Sequence, residues 1–234
     1  MIRLEGVKAA IGPISILRSI DMHVAQGELV VVLGANGAGK TTLLRVISGL
    51  LPASGGSITF DAGKIEGKSA HDLARMGLVH VPQGRQIIPT LTVEENLTLG
   101  ASHLPDITAH DIAAMLEQEY ARFPVLRERR SISGGSLSGG EQQMLAVSRG
   151  LMMRPKVLML DEPSLGLSPQ MIHRILSALA ELSRSGMSVL LVEQKMAALD
   201  IADRAYVLKN GSIVRSGPAA ELRDDPAMLE QYLH

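Results

Sequence analysis

The chain has 234 residues, 46% of them hydrophobic, with 23 Lys and Arg against 24 Asp and Glu and a formal net charge of −1. That length suits one domain, or one domain carrying a subdomain, and gives enough core to need no disulfide or metal staple. The charge balance excludes an overall basic nucleic-acid binder, and the absence of cysteine excludes disulfide frameworks, cysteine–zinc sites and thiol chemistry.

Arg3, Glu5 and Lys8 interrupt the opening segment, so no secretory signal is expected there. No apolar run is long enough to predict a bilayer span. The first 28 residues and 57–61 (SITFD) read as short β-strands beside Leu29–Leu33 (LVVVL). That run, 157–160 (VLML) and 189–192 (VLLV) are wholly apolar, the pattern of strands buried on both faces of a parallel sheet. Helical stretches at 39–51, 140–153 and 169–185 separate them, so an α/β fold with a mostly parallel sheet is expected.

Residues 84–150 break this rhythm and read as a helical insertion, clearest at 92–103 and 108–123. Thr92-x-x-Glu95 and Thr108-x-x-Asp111 have the form of capping boxes. The Ser- and Gly-rich segment 131–138 (SISGGSLS) reads as a flexible return to the core. Residues 212–215 read as an edge strand, and 218–233 as a terminal helix interrupted near Pro226. The expected organisation is one domain over 1–234, with a core from about 1–83 and 155–217, a helical subdomain over about 84–154 and a C-terminal helix over about 218–234.

Directly after the first apolar run, Gly34-Ala35-Asn36-Gly37-Ala38-Gly39-Lys40-Thr41 fits G-x-x-x-x-G-K-[ST] in full. Small residues let backbone N–H groups wrap a polyphosphate, and a helix starting near Lys40 adds its positive dipole end. Lys40 is placed to reach the β- and γ-phosphates, and the Thr41 hydroxyl to bind Mg²⁺. The second apolar run ends in Asp161-Glu162. A carboxylate at a strand end can hold Mg²⁺ through its water shell, and the next one can orient and deprotonate an attacking water.

Leu137-Ser138-Gly139-Gly140-Glu141-Gln142-Gln143 (LSGGEQQ) resembles the LSGGQ signature of ABC-type ATPases. Phosphate loop, Gln83, signature, Asp161-Glu162 and a final loop follow in that family's order over essentially the whole chain. Ser138-x-x-Glu141 is also a capping box, and Gly139 and Gly140 leave first-turn N–H groups bare as an anion site. The resemblance implies a P-loop NTPase (RecA-like) core, an N-terminal antiparallel β subdomain and an inserted helical subdomain. It further implies ATP and Mg²⁺ as cofactors, bound through residues 34–42, including Thr42. Gln83 and Asp161 join Thr41 at the metal, and Ser138, Gly139, Gly140 and Glu141 act in trans on the nucleotide of a second ATPase subunit. Two transmembrane permease subunits, docking near Ile87, Ile88 and Leu91, and indirectly a periplasmic solute-binding protein are the other implied partners, at the cytoplasmic face of the membrane.

Three departures narrow the resemblance. Gln194 stands where the family usually has a switch histidine; its amide can donate a hydrogen bond but carries no charge. Leu167 replaces the aspartate of the loop after Asp161-Glu162, and Ile11 holds the place of the usual aromatic that stacks on adenine. DEPSLGLSP, LLVEQ and LTVEENL together are similar to the ATPases of branched-chain amino acid importers, with urea and short-amide importers as the alternative. A nucleotide-dependent binding module with little hydrolysis is the reading from another class; Glu162 and the intact signature count against it.

Overall fold

The computed structural model describes residues 1–224. Strands β1 (Ile2–Ile11) and β2 (Ile14–Val24) alternate buried and exposed side chains and pair as an antiparallel hairpin closed by Gly12-Pro13. They are longer than the short strands expected there. β3 (Leu29–Leu33) leads through the glycine loop into α1 (Lys40–Ile47). β4 (Gly55–Phe60) pairs antiparallel with β1, and β5 (Gly63–Lys64) with β4. α2 (Ala70–Arg75) and β6 (Leu78–Val81) follow.

Four helices come next: α3 (Val93–Ala101), α4 (Ala109–Arg122), α5 (Pro124–Glu128) and α6 (Gly139–Leu151). Thr92, Thr108 and Ser138 each close a reciprocal capping box, which satisfies orphan N–H groups and sets where α3, α4 and α6 begin. β7 (Val157–Asp161), α7 (Pro169–Arg184), β8 (Ser188–Glu193), β9 (Arg204–Lys209), β10 (Ser212–Pro218) and α8 (Ala219–Arg223) complete the described chain. Among the described residues no helix is long and apolar enough to cross a membrane.

The strands form one sheet in the order β5-β4-β1-β2-β10-β9-β3-β8-β7-β6. From β9 to β6 all neighbours are parallel; β5, β4, β1 and β2 form the antiparallel wing. The apolar runs are continuous because each parallel strand feeds two cores. Leu29, Val31 and Leu33 face the side that holds Ile175, Leu179 and Leu182 of α7 and the helices α3–α6. Val30 and Val32 face the side that holds Leu43, Leu44 and Ile47 of α1 and the β1–β2 hairpin. Each such side chain contributes roughly 1.5–3 kcal/mol by leaving water.

Two expectations need correction. Residues 212–215 are not at an edge: β10 lies between β9 and β2. Its largely exposed side chains look like an edge strand, yet the turn at Asn210 and Gly211, both at positive φ, folds it back on β9. Gly211 lies so close to the Ile16 carbonyl that a Cβ would stand 1.9 Å from it. Nor is 131–138 a free return. Gly134 N–H donates to the Leu91 carbonyl (2.8 Å), Gly135 N–H to the Pro89 carbonyl (3.0 Å), and Thr92 bridges Ser133. Its glycines permit close approach to 88–92 rather than mobility. The terminal helix is seen as α8; the rest of that segment, including Pro226, lies outside the described residues.

Candidate functional site

The register sets the site. Leu33 pairs with Glu193, and Asp161 with Val192, so β3, β7 and β8 end together. Carboxyl ends of parallel strands are where open α/β sheets take ligands. Gly34 sits so near the Leu208 carbonyl that a Cβ would be 2.6 Å from it, which only glycine tolerates. Gly37 and Gly39 take positive φ, and the Ala38 carbonyl accepts from Gly211 N–H at 2.9 Å. Together these turn the loop back over the N-terminus of α1, the arrangement in which successive N–H groups form an anion cradle.

Lys40 is 4% exposed, and all three of its ammonium hydrogens have partners: the carbonyls of Gly34 (2.7 Å) and Ala35 (3.0 Å) and Oε1 of Glu162 (2.8 Å). The Thr41 hydroxyl donates to Asp161 Oδ1 at 3.2 Å, while Asp161 Oδ2 is buried with no hydrogen-bond partner. Burial pushes the Asp161 carboxyl above the usual carboxylate range; the Glu162 charge pushes the same way, against the Thr41 hydrogen bond and Lys40. An orphaned carboxylate oxygen beside a threonine hydroxyl is a hard-cation donor set, so these residues fit Mg²⁺. Glu162 takes φ +46°, uncommon for a side chain of its size, with its N–H bonded to the Val192 carbonyl (3.0 Å). Gln83 Nε2 reaches Glu162 Oε2 at 3.5 Å.

A cavity of about 300 Å³ overlies the loop, bounded by Asn36, Gly37, Gly39, Lys40, Thr41, Thr42, Gln83 and Glu162, with Ile16 against Gly39. Ile11 does not line it. That residue is half-exposed at the hairpin tip opposite Ile14. Gln194 lies at the end of β8, partly buried, its N–H donating to Glu193 Oε2 at 3.3 Å.

The signature stands apart from this cavity. Ser138 N–H donates to Glu141 Oε2 (2.7 Å), Glu141 N–H to Ser138 Oγ (3.4 Å), and Arg129 pairs with Glu141 Oε1 (3.0 Å). The Cα sides of its glycines are closely packed: a Cβ at Gly139 would meet the Arg85 guanidinium at 2.7 Å, and one at Gly140 the Met171 Cε at 2.3 Å. A groove of about 530 Å³ between the loop after Gln83 and the start of α6 shares Gln83 and Glu162 with the cavity over the glycine loop. Gly84, Arg85 and Gln86, all at positive φ, are fastened to α6 by Arg85 to Gln142 Oε1 (3.1 Å) and Arg149 to the Gln86 carbonyl (2.6 Å).

Three residues with clear structural work escaped the sequence reading. Asn96, fully buried, takes the Ile88 N–H on its carbonyl and gives its amide to the carbonyls of Ile88, Leu91 and Thr92. It thereby holds the segment after Gln83; Ile87 packs on the core rather than standing free. Glu193 and Ser164 bond to each other beside Glu162. Burial pushes the Glu193 carboxyl up, against its hydrogen bonds from Ser164. For Asn96 and Glu193 the available signal was an amide or charged residue at a position the apolar pattern makes internal; Ser164 carried none.

Residues 17–165 match the family profile described as ABC transporter. The chain is similar to the high-affinity branched-chain amino acid transport ATP-binding protein BraG of Pseudomonas aeruginosa, 42% identical over 100% of this chain and 99% of that protein. It is also similar to the glutamine transport ATP-binding protein GlnQ of Escherichia coli, 32% identical over 100% and 98%. Among solved structures it resembles the ADP conformation of MJ1267, an ATP-binding cassette of an ABC transporter, with TM-score 0.84, 28% identity and coverage of 100% and 98%. A profile matched over residues 17–165 and an end-to-end identity of 42% with an ATP-binding transport protein place the chain in the ABC transporter family, as one of its ATP-hydrolysing subunits.

Proposed function

We propose that this chain energises the uptake of branched-chain amino acids through separate membrane subunits. The observation that carries the reading is the 42% identity, end to end, with a branched-chain amino acid transport ATP-binding protein. In the proposed mechanism, phosphates take the N–H groups of 37–40, and Lys40 turns from Glu162 to the β- and γ-phosphate oxygens. Glu162, freed, orients and deprotonates the attacking water; Gln83 holds that water from the other side, and the Gln194 amide donates to the γ-phosphate. Thr41, Asp161 and Gln83 would hold Mg²⁺, which supplies positive charge to the phosphate oxygens. Ser138, Gly139, Gly140 and Glu141 serve the nucleotide of a second copy or a paralogue, facing it head to tail. Ile11 lies beside the base.

The partners of the proposal are that second ATPase, two permease subunits and, through them, a periplasmic solute-binding protein; its place is the cytoplasmic face of the membrane. Reconstitution with the permease subunits and solute-binding protein that co-purify with it tests this. ATP-driven uptake of labelled leucine, suppressed by isoleucine and valine but not by urea, acetamide or glutamine, is the expected result. Uptake suppressed only by one of those competitors would move the chain to another substrate class.

A further inference from the structure

Glu193 ends the apolar strand β8 and is 2% exposed. A carboxylate so far from water is costly unless its lone pairs are filled. Here they are filled by one short stretch of chain: Ser164 N–H at 3.0 Å and Ser164 Oγ at 2.9 Å, with Gln194 N–H at 3.3 Å. The main-chain carbonyl of the same residue accepts from Gly34 N–H, the first residue of the phosphate loop, at 3.3 Å. Three loops therefore converge on one buried residue: the phosphate loop, the loop after Glu162, and the segment of Gln194.

Ser164 lies two residues beyond Glu162, whose backbone is left-handed. For a non-glycine residue that conformation persists only when the surroundings over-determine it. On one side Glu162 N–H is tied to the Val192 carbonyl (3.0 Å). On the other, the turn from Glu162 to Leu165, closed by Leu165 N–H on the Glu162 carbonyl (3.1 Å), contains the serine that Glu193 fixes. We infer that Glu193 is a positioning residue for hydrolysis: it clamps Ser164 so that Glu162 keeps the backbone angle from which its carboxylate meets Lys40. This rests on Glu162 being the base, and it adds a fixed distance between that base, the phosphate loop and Gln194.

The test measures phosphate release against ATP concentration, with unfolding midpoints and the affinity for a non-hydrolysable ATP analogue taken on each variant. Glu193→Ala is expected to lower kcat at least tenfold with KM for ATP within about twofold, because misplacing a reacting group by an ångström costs on the order of a hundredfold. Glu193→Gln keeps an acceptor for Ser164 N–H and a donor for its hydroxyl, and should stay within about threefold of the parent kcat. Adding Ser164→Ala to Glu193→Ala should change kcat little further, since both act through one contact. Where Glu193→Ala does not fold, Ser164→Ala alone carries the test, with kcat down about threefold or more at unchanged KM. Parental kcat in Glu193→Ala, or in Ser164→Ala should the former not fold, or a loss confined to KM, overturns the inference. Glu162→Gln separates the two readings: if it leaves kcat intact, the base assignment itself is wrong.

Discussion

Replacing Glu162 by glutamine should tighten nucleotide binding as well as stop hydrolysis. In the described chain Lys40 has no spare hydrogen; two go to loop carbonyls and the third to Glu162 Oε1 at 2.8 Å, both side chains being more than nine-tenths buried. Phosphate must therefore displace a hydrogen bond between two charged groups, near the upper end of the roughly 1.5–3 kcal/mol that charge-assisted bonds are worth, whereas a bond from the Lys40 ammonium to a neutral amide lies near the lower end. Glutamine preserves shape and acceptor but lowers that cost by about 1–1.5 kcal/mol, and it removes a negative charge from beside the incoming phosphates. Since about 1.4 kcal/mol is tenfold in affinity, the variant should bind a non-hydrolysable ATP analogue with Mg²⁺ roughly tenfold tighter by titration calorimetry. Its kcat should fall by about a hundredfold or more, the usual worth of a general base. Equal or weaker analogue affinity would refute the view that Lys40 is held back by Glu162; undiminished turnover would refute Glu162 as base.

His80 is mostly buried on β6 beside Ser48 Oγ (3.2 Å), with Nε2 unpartnered, and burial together with Arg45 lowers its pKa from 6.5 to about 4. The folded state then binds fewer protons than the unfolded one, so stability is full above pH 6.5 and is lost as pH falls towards 4. Denaturant titrations at pH 7.5 and 5.0 should show the parent losing about 2 kcal/mol more than His80→Gln, and parallel losses would exclude His80 as the cause. Gly100→Ala would set a Cβ 2.3 Å from the Arg149 carbonyl and 2.9 Å from Met152 Cβ, where α3 crosses α6. That overpacking costs about 1–3 kcal/mol, more than the helix propensity gained, so Tm should fall by roughly 3–10 °C; an unchanged Tm would contradict the close approach. With Ile11 and Ile14 exposed and aliphatic at the hairpin tip, ATP and GTP should bind within about threefold of each other, and Ile11→Tyr should strengthen both through base stacking of about 1–3 kcal/mol. A parent chain that strongly prefers ATP would sink that reading.

What the chain shows on its own is what repeats or what chemistry demands. Runs such as LVVVL announce strands covered on both faces, and the spacing Thr92–Glu95 announces a helix start; both depend on residues close in the chain. The glycine turn before α1 is legible for the same reason, because Gly34, Gly39 and Lys40 shape one short stretch of chain. Long-range closures were not. β10 looks like an edge because Ile213 and Val214 are its only aliphatic side chains, and nothing local reveals that Arg18 N–H meets the Gly211 carbonyl at 2.9 Å. Gly134 and Gly135 look flexible until the backbone of 88–92 is placed against them. Asn96 and Glu193 signalled only that something polar sits inside; their partners come from segments 4 to 8 and 29 residues away.

The signature serine shows how one side chain can serve the free chain and the proposed dimer without conflict. As cap, Ser138 needs a lone pair for Glu141 N–H and its own N–H for Glu141 Oε2. Neither use consumes the hydroxyl proton, and the Glu141 carboxylate does not depend on it. That carboxylate is already held by Ser138 N–H at 2.7 Å and by Arg129 at 3.0 Å. A hydroxyl has one proton and two lone pairs, so it can turn the proton towards a phosphate while still accepting from Glu141 N–H. The start of α6 therefore stays capped while the proton is redirected. Because the helix end is organised beforehand, the free energy of the phosphate contact is not spent on ordering it and remains for drawing the two subunits together.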